Sequence, residues 1–468
     1  MKKLITTVII LLVIIALPAL TGQYLKYTVM HRIDHSKLPS GQQIQVTAYK
    51  AGWLHSIAQI KIMGAPGQMS SANDNQVMNI NLDITHGPVA ITRDMQGKLQ
   101  WVFGSGLVKG TATTIGNFTM NVLVKVSFFN NINLQFFNHN SQSIWNNFQV
   151  NIGDLISHIS VAKKFTSING DVSMQNFQIA NPSVKMLFQM SKMDSVFSLM
   201  KDSSGLWLGK RSTVVPDFSF SEAGVQLFAL QGLNFNLDSQ AKDNQVNASL
   251  QISINKLMPI HYDAIGPVNF EYHLSGVELS KLEAFSQFVS TQDMSAKNPN
   301  AEQLRNEMML YLIDVLQGST QSLDNLSVGT SKGMVSLTGK IILPKQAIDL
   351  NQPVSKPMLA LLISQMSMRS TTSFKLIFPA DLLSDIYLKL GKQNQMMSYI
   401  KVLQDSGFIV LTNNNYITDF TYNQGQAMVN NQPIADVIKR FQAGMQALSN
   451  EKPTTEPQAA PASVPAIK

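Results

Sequence analysis

Val246-Asn247-Ala248-Ser249-Leu250-Gln251-Ile252-Ser253-Ile254-Asn255 alternates apolar and polar residues at every step. Successive side chains of a β-strand point to opposite faces of its sheet, so this stretch reads as a strand with one apolar and one wet face. Gly266-Pro267 then turns the chain into a second stretch, where Val268, Phe270, Tyr272 and Leu274 alternate with Asn269, Glu271, His273 and Ser275. Two such strands in succession predict an antiparallel meander.

Working outward, the same period marks strands at Ile57–Met63, Val77–Ile84, Phe118–Phe128, Phe148–Ile152, Asp171–Ile179, Phe218–Phe220, Leu233–Leu237, Gly333–Leu343 and Ser373–Phe378. Tyr416–Tyr422 and Gln426–Val429 flank Asn423-Gln424-Gly425, a predicted hairpin in which Gly425 can take positive φ. Helical spacing predicts helices at Ser183–Met200, Asn300–Gln317, Ala380–Leu390, Gln393–Gln404 and Pro433–Leu448, covering sheet edges or one sheet face. The expected fold class is mainly β (α+β), an elongated, curved antiparallel sheet with a few covering helices. With no long linker and no repeat of fixed period, residues 26–449 form one domain. The tail 450–468, rich in Pro, Ala and Thr, is expected to be disordered.

At the N-terminus, Met1-Lys2-Lys3 precedes an uncharged run from Leu4 to Leu25 with no polar face between Leu4 and Leu20. As a helix this run is about 33 Å long, enough to span a bilayer. A cleaved signal peptide needs small residues at the first and third positions before the cut, and the best site, after Ala19, has Leu17 at the third. Residues 1–25 are therefore expected to be an uncleaved transmembrane signal-anchor. Lysines and arginines on both sides leave the charge rule undecided, but a three-residue leader and a long following domain predict a single-pass protein of the bacterial inner membrane with its C-terminal domain in the periplasm.

Only 14% of residues are charged, against about 25% in an average soluble domain. The net charge of +7 is thinly spread. Its densest pairs, Lys163-Lys164 and Lys210-Arg211, make no phosphate-binding stripe, so nucleic acid is not an expected partner. The absence of cysteine excludes disulfides, Cys-ligated zinc, iron–sulfur clusters and a thiol nucleophile.

The eight histidines never adopt metalloprotease spacing, and His31 with His35 reads as a solvated stalk. No Gly-x-Ser-x-Gly elbow occurs, and Gly205-Leu-Trp-Leu-Gly209-Lys210-Arg211-Ser212 departs from a phosphate loop and reads as a turn. The 24 methionines read as packing residues. No cofactor, metal or enzymatic activity is expected.

Two motifs carry a resemblance. Tyr49-Lys50-Ala51-Gly52-Trp53-Leu54-His55-Ser56 resembles the x-x-Gly-Trp-Phe-Ser-Ser opening of the YdgA-type family of bacterial proteins, and Ile84-Thr85-His86-Gly87-Pro88 resembles that family's next landmark, a His-Gly-Pro turn. The ending, with Thr418, Phe420, Tyr422, Gly425 and Asn431, is similar to the family's Tyr-x-x-Gly … Asn-Gly close, although Gln432 replaces the final Gly and Leu54-His55 departs from Phe-Ser. The resemblance implies anchorage in a Gram-negative inner membrane; the family has no established activity, so no catalytic residue carries over. Gly52, Trp53, Ser56, His86, Gly87, Pro88 and Gly425 are given structural roles: a bend with an aromatic packed under the first strands, a tight turn whose His satisfies backbone groups, and a hairpin.

The function expected first is that of a non-enzymatic envelope protein acting by association with itself or with other membrane proteins. The alternative is binding or transfer of a lipid or other hydrophobic ligand in a sheet groove, on the loose plan of AsmA-type proteins. Full coverage of the apolar face of Val246–Ile254 by helices would remove the groove.

Overall fold

A computed structural model describes residues 43–450 apart from 53–54, 64–75, 88, 94–97, 105, 115–117, 129–130, 146, 204, 261–262, 292–300, 347, 351–354 and 390–392. The expected anchor at 1–25 and residues 451–468 of the tail lie outside the described residues. No described helix is long and apolar enough to cross a membrane.

The first strands are β1 (Gln43–Lys50), β2 (His55–Met63), β3 (Gln76–His86), β4 (Val89–Arg93), β5 (Leu99–Phe103), β6 (Gly106–Thr114), β7 (Thr119–Val126), β8 (Ile132–Trp145) and β9 (Phe148–Val161). The long middle strands are β10 (Ser167–Asn181), β11 (Met186–Lys201), β12 (Trp207–Glu222), β13 (Val225–Lys242), β14 (Gln245–Pro259) and β15 (Val268–Glu278). Helices α1 (Leu279–Thr291) and α2 (Ala301–Leu316) follow, then β16 (Thr320–Thr330), β17 (Gly333–Ile342), α3 (Lys356–Arg369) and β18 (Thr371–Pro379). The last described elements are α4 (Ala380–Lys389), α5 (Gln393–Ser406), β19 (Val410–Thr412), β20 (Asn415–Asn423), β21 (Gln426–Val429), β22 (Gln432–Pro433) and α6 (Ile434–Asn450).

Twenty strands form one sheet, and β4 with β5 forms a separate two-stranded one. Every pairing is antiparallel, and from β6 to β18 each strand pairs with the next, so the main sheet is the meander that the 246–274 alternation predicts. β3 pairs with β6 past the β4–β5 hairpin, and β18 with β20 past α4 and α5.

Directly paired residues share a face, so the register can be followed across the whole sheet. One row runs Ile84, Val108, Val124, Leu134, Ile159, Gly170, Phe197, Arg211, Leu237, Leu250, Tyr272, Leu323, Gly339, Phe374, Phe420. A parallel row on the same face runs Val172, Ser195, Thr213, Phe235, Ile252, Phe270, Leu326, Leu337, Leu376. The opposite face carries Gln135, His158, Asp171, Val196, Ser212, Asn236, Gln251, Glu271 and Asn325 in register. On this wet face His55, His139 and His158 each reach across to an aspartate of the neighbouring strand, Asp83, Asp154 and Asp171, at 2.8, 2.8 and 3.0 Å.

The ladder is interrupted along a transverse crease. Pairing passes over Asn176 with Ser191, Pro216 with Gly232, and Gly232 with Asn255. Pro216 has no N–H to donate. Gly232 takes φ 66°, and the Asn255 side chain fills the space its Cβ would need. Exposed residues fall in adjacent pairs there, Gln175-Asn176, Pro216-Asp217 and Asn255-Lys256, so burial steps by three residues from Met174 to Phe177, Val215 to Phe218 and Ile254 to Leu257. This step accounts for one correction: Ser183–Met200, expected to be helical, is mostly strand β11. The three-residue step from Met190 to Met193 imitates helical spacing, while Phe188 with Met190 and Ser195 with Phe197 alternate on either side. A second correction concerns Gly205–Ser212. Gly205 lies in a turn that donates to the Asp202 carbonyl, but Trp207–Ser212 already opens β12.

Helices close one end of the apolar face. Leu279, Leu282 and Phe285 of α1 and Val315 of α2 pack on Val246, Leu274 and Val277. Leu310 and Ile313 of α2 meet Leu359, Leu362 and Met366 of α3. At this junction Lys281 Nζ lies 3.3 Å from the nearly buried Asp314 and 3.8 Å from Glu278, and Lys345 donates to Glu278 at 3.0 Å. The Lys345 bond, then the charge of Lys281, hold the Glu278 carboxyl below its usual range. Gln317 donates to Asp314 and accepts from the Gln346 amide at 2.7 Å.

Replacing Lys281 by Met strands Asp314 without its cation. Because Lys281 keeps 23% of its side chain exposed, the expected loss falls below the roughly 3–5 kcal/mol of a fully buried broken pair, at about 2–3 kcal/mol. Urea unfolding followed by α-helical circular dichroism measures it, and the double replacement with Asp314→Leu should recover most of the loss.

Candidate functional site

The sequence motifs converge at one end of β2 and β3. Their register sets Ser56 opposite Ile84, which leaves His86 beside Ser56 on the same face. Ser56 Oγ and His86 Nε2 stand 2.7 Å apart, and both residues are 1% exposed. The Gly52 amide donates to Ser56 Oγ at 3.4 Å. Any side chain at Gly52 would place its Cβ 2.2 Å from the His55 carbonyl oxygen, so the bend before β2 needs glycine. Gly87, at φ 118°, turns the chain out of β3. Trp53 and Pro88 lie outside the described residues.

With the Gly52 N–H occupying one lone pair of Ser56, the hydroxyl proton is free to point at His86 Nε2. The expectation that His86 satisfies backbone groups is thereby corrected: its partner is a side chain. Its other nitrogen, Nδ1, is buried with no hydrogen-bond partner among the described residues. Burial, and next the nearby His55, hold the His86 pKa below its ordinary value, so the ring is neutral at neutral pH.

Serine and histidine at 2.7 Å have the spacing of a nucleophile and its base. Two parts of that chemistry are missing among the described residues. No carboxylate orients Nδ1, and neither side chain is open to a substrate. What the pair does is close the β2–β3 end of the sheet through a buried hydrogen bond. Sequence reasoning named both residues but did not join them, since they are thirty positions apart and only the strand register brings them together.

The C-terminal motif is also a set of turns. Gln424 and Gly425 take φ 47° and 89° between β20 and β21, the expected hairpin. Asn430 and Asn431 take φ 47° and 62° before β22. Asn430, which the sequence reading passed over, donates to the Gly407 and Phe408 carbonyls at 2.9 and 3.0 Å and accepts from the Asp419 amide at 2.8 Å. Arg440 of α6 donates to the Ser406 carbonyl at 3.1 and 2.9 Å, and Phe408 meets Phe441 edge-on at 5.4 Å. Gly425 has open space around it and serves the turn alone.

The wider candidate surface is the apolar face. The helices make their main contacts with β15, β18, β21 and β22. Toward β12 and β14 the helix cluster reaches Leu208 and Val246. Most residues of that face are half-buried, although Leu237 and Arg211 are exposed and Ser195 is buried; Val196 on the wet face is 59% exposed. Hollows of about 470 and 410 Å³ open between polar side-chain rows, one beside His158 and Asp171 and the other beside Lys340 and Asp419.

These features define an antiparallel β protein built on one large sheet with segregated faces and polar end closures. It belongs to the family described as bacterial protein of unknown function (DUF945), whose model matches residues 1–435. No curated protein and no solved structure matches the chain.

Two expectations follow. Ser56→Ala leaves a buried His86 nitrogen unpaired and should cost about 2 kcal/mol, read as a shift in the denaturation midpoint of the full chain. In the unfolded chain His86 takes up a proton as pH falls through about 6.5; in the fold it does so only at lower pH. The unfolded state thus binds more protons in that window, and stability drops as pH falls. Hydrogen exchange of β2 and β3 amides should quicken between pH 7.5 and 5.5 relative to distant strands, and His86→Gln should abolish that difference.

Proposed function

We propose that this protein is an inner-membrane-anchored envelope protein that binds the acyl chains of lipid along the apolar face of its sheet, without catalysis. The observation that carries this reading is the largely apolar register through Leu134, Ile159, Phe197, Leu237 and Leu250 and through Val172, Phe235 and Ile252, interrupted by Gly170, Arg211, Ser195 and Thr213, while the helices of the described residues meet the sheet mainly at β15, β18, β21 and β22. The full row from Ile84 to Phe420 crosses fifteen strands, roughly 65 Å at about 4.8 Å per strand. Its one charged member is Arg211, between Phe197 and Leu237; there a lipid phosphate would meet a cation while its chains lie on the flanking rows. The signal-anchor reading of Leu4–Leu25 and the YdgA-type likeness of the Gly52-Trp53 and His86-Gly87-Pro88 motifs support the envelope location.

A photoreactive amino acid at Phe235 or Ile252 should give lipid adducts when irradiated in cells, detected by mass spectrometry of the intact protein, and at Val196 on the wet face it should not. Arg211→Ala should lower the adduct yield at Phe235 several-fold. Absence of lipid adducts at both strip positions would sink the reading.

A second reading, association through a sheet edge, is favoured by β1, which among the described residues pairs with β2 alone. Protein adducts at the strip or edge in the same cross-linking experiment would put this reading first.

A further inference from the structure

The β4–β5 hairpin sits apart from the main ladder and has two unlike sides. One side is glued to the sheet: Ala90 and Val102 pack on Leu107, Leu123 and Phe137, Thr92 is buried, and Lys125 donates to Gln100 at 3.4 Å. The other side presents Leu99, Trp101 and Phe103, consecutive outward positions of one strand, at 60%, 66% and 68% exposure. Single exposed apolar residues are ordinary, but three large ones aligned on one strand form a ridge that water solvates poorly.

We propose that this ridge docks into the headgroup and upper acyl region of a lipid bilayer. Three observations select lipid as the occupant. First, the side chains suit it, since Trp with flanking Phe and Leu partitions to the membrane interface. Second, the charge suits anionic headgroups: the sequence from Val89 to Phe103 carries Arg93 and Lys98 against Asp94, a net +1. Third, the chain outside the described residues brings a bilayer within reach. The apolar run Leu4–Leu25 lies only the residues Lys26–Gln42 before β1, a tether of about 60 Å at most. β1 itself is eight residues long, about 27 Å, and β1, β2 and β3 are neighbours, with β4 following directly on β3. The hairpin would then hold the β2–β3 end of the sheet against the membrane, a second contact independent of the apolar strip.

The chain has no cysteine, so one introduced thiol reports on one place. Full-length Trp101→Cys, Phe103→Cys and, as a remote exposed control, Leu411→Cys are spin-labelled and reconstituted in phosphatidylethanolamine–phosphatidylglycerol vesicles. Labels at 101 and 103 should be relaxed several-fold more by oxygen, which concentrates in lipid, than by a water-soluble nickel chelate. The label at 411 should show the reverse. Two independent ridge positions, each making little contact with the rest of the fold, guard against a single misfolded variant. Ridge labels as water-accessible as the control overturn the proposal. So do labels shielded from both reagents or broadened by a second spin, which would mean a protein or another copy covers the ridge, and so does failure of the full chain to float with vesicles.

Discussion

The structure rests on the rule that residues paired across an antiparallel ladder share a face. Because direct pairing carries the face from strand to strand, the side of the sheet on which Ile84 stands is also the side on which Phe374 stands, even past local bulges such as the one at Glu271-Tyr272. Apolar and polar residues sort themselves over the whole sheet by a choice made locally in each strand. A slip of one residue anywhere would exchange the faces of every strand beyond it. The side chains that fill gaps in the rows, such as Phe197 leaning over Gly170 and Phe374 over Gly339, depend on the same phase.

A sheet with one apolar face needs its ends closed, and the closures here are polar and specific. At the β2–β3 end a buried serine is hydrogen-bonded to one nitrogen of a buried histidine. At the β14–β15 end a lysine bridges two carboxylates while two helices bury Val246 and Val277. Polar closures of this kind fix geometry because a misplaced partner is left buried and unpaired. The last strands are fixed in the same way by Asn430, which ties three backbone groups together at the base of α6.

Much of the sheet was legible because β14 and β15 alternate cleanly, and one such pair implies neighbours. Strands with a dry stretch or a step were harder. In β8 the run Phe136-Phe137 places one ring on each face, with Phe137 under the hairpin, so no alternation shows. In β11 the crease shifted the phase and produced a helical pattern that the structure does not have. Helix α3 was missed because its Leu359, Leu362 and Met366 stripe is embedded in further apolar residues, and its amphipathic contrast is faint. Of the site, the glycines and the hairpin could be read from turn chemistry, whereas the Ser56–His86 contact is a property of register, which a single chain does not display.

The crease has a consequence for how such a chain can change length. Asn176 with Ser191, Pro216 with Gly232, and Gly232 with Asn255 lie opposite one another where the pairing lapses, and between β11 and β12 it lapses over 191–193 and 215–217, so the crease crosses five strands. Losing one of these residues alone would turn half a strand inside out, with Phe177 and Ile179 facing water while their neighbours stayed put. Insertions and deletions along this line are therefore admissible only as a matched set, and relatives of different strand length should carry their indels in step across adjacent strands, as a seam let out or taken in along its whole width.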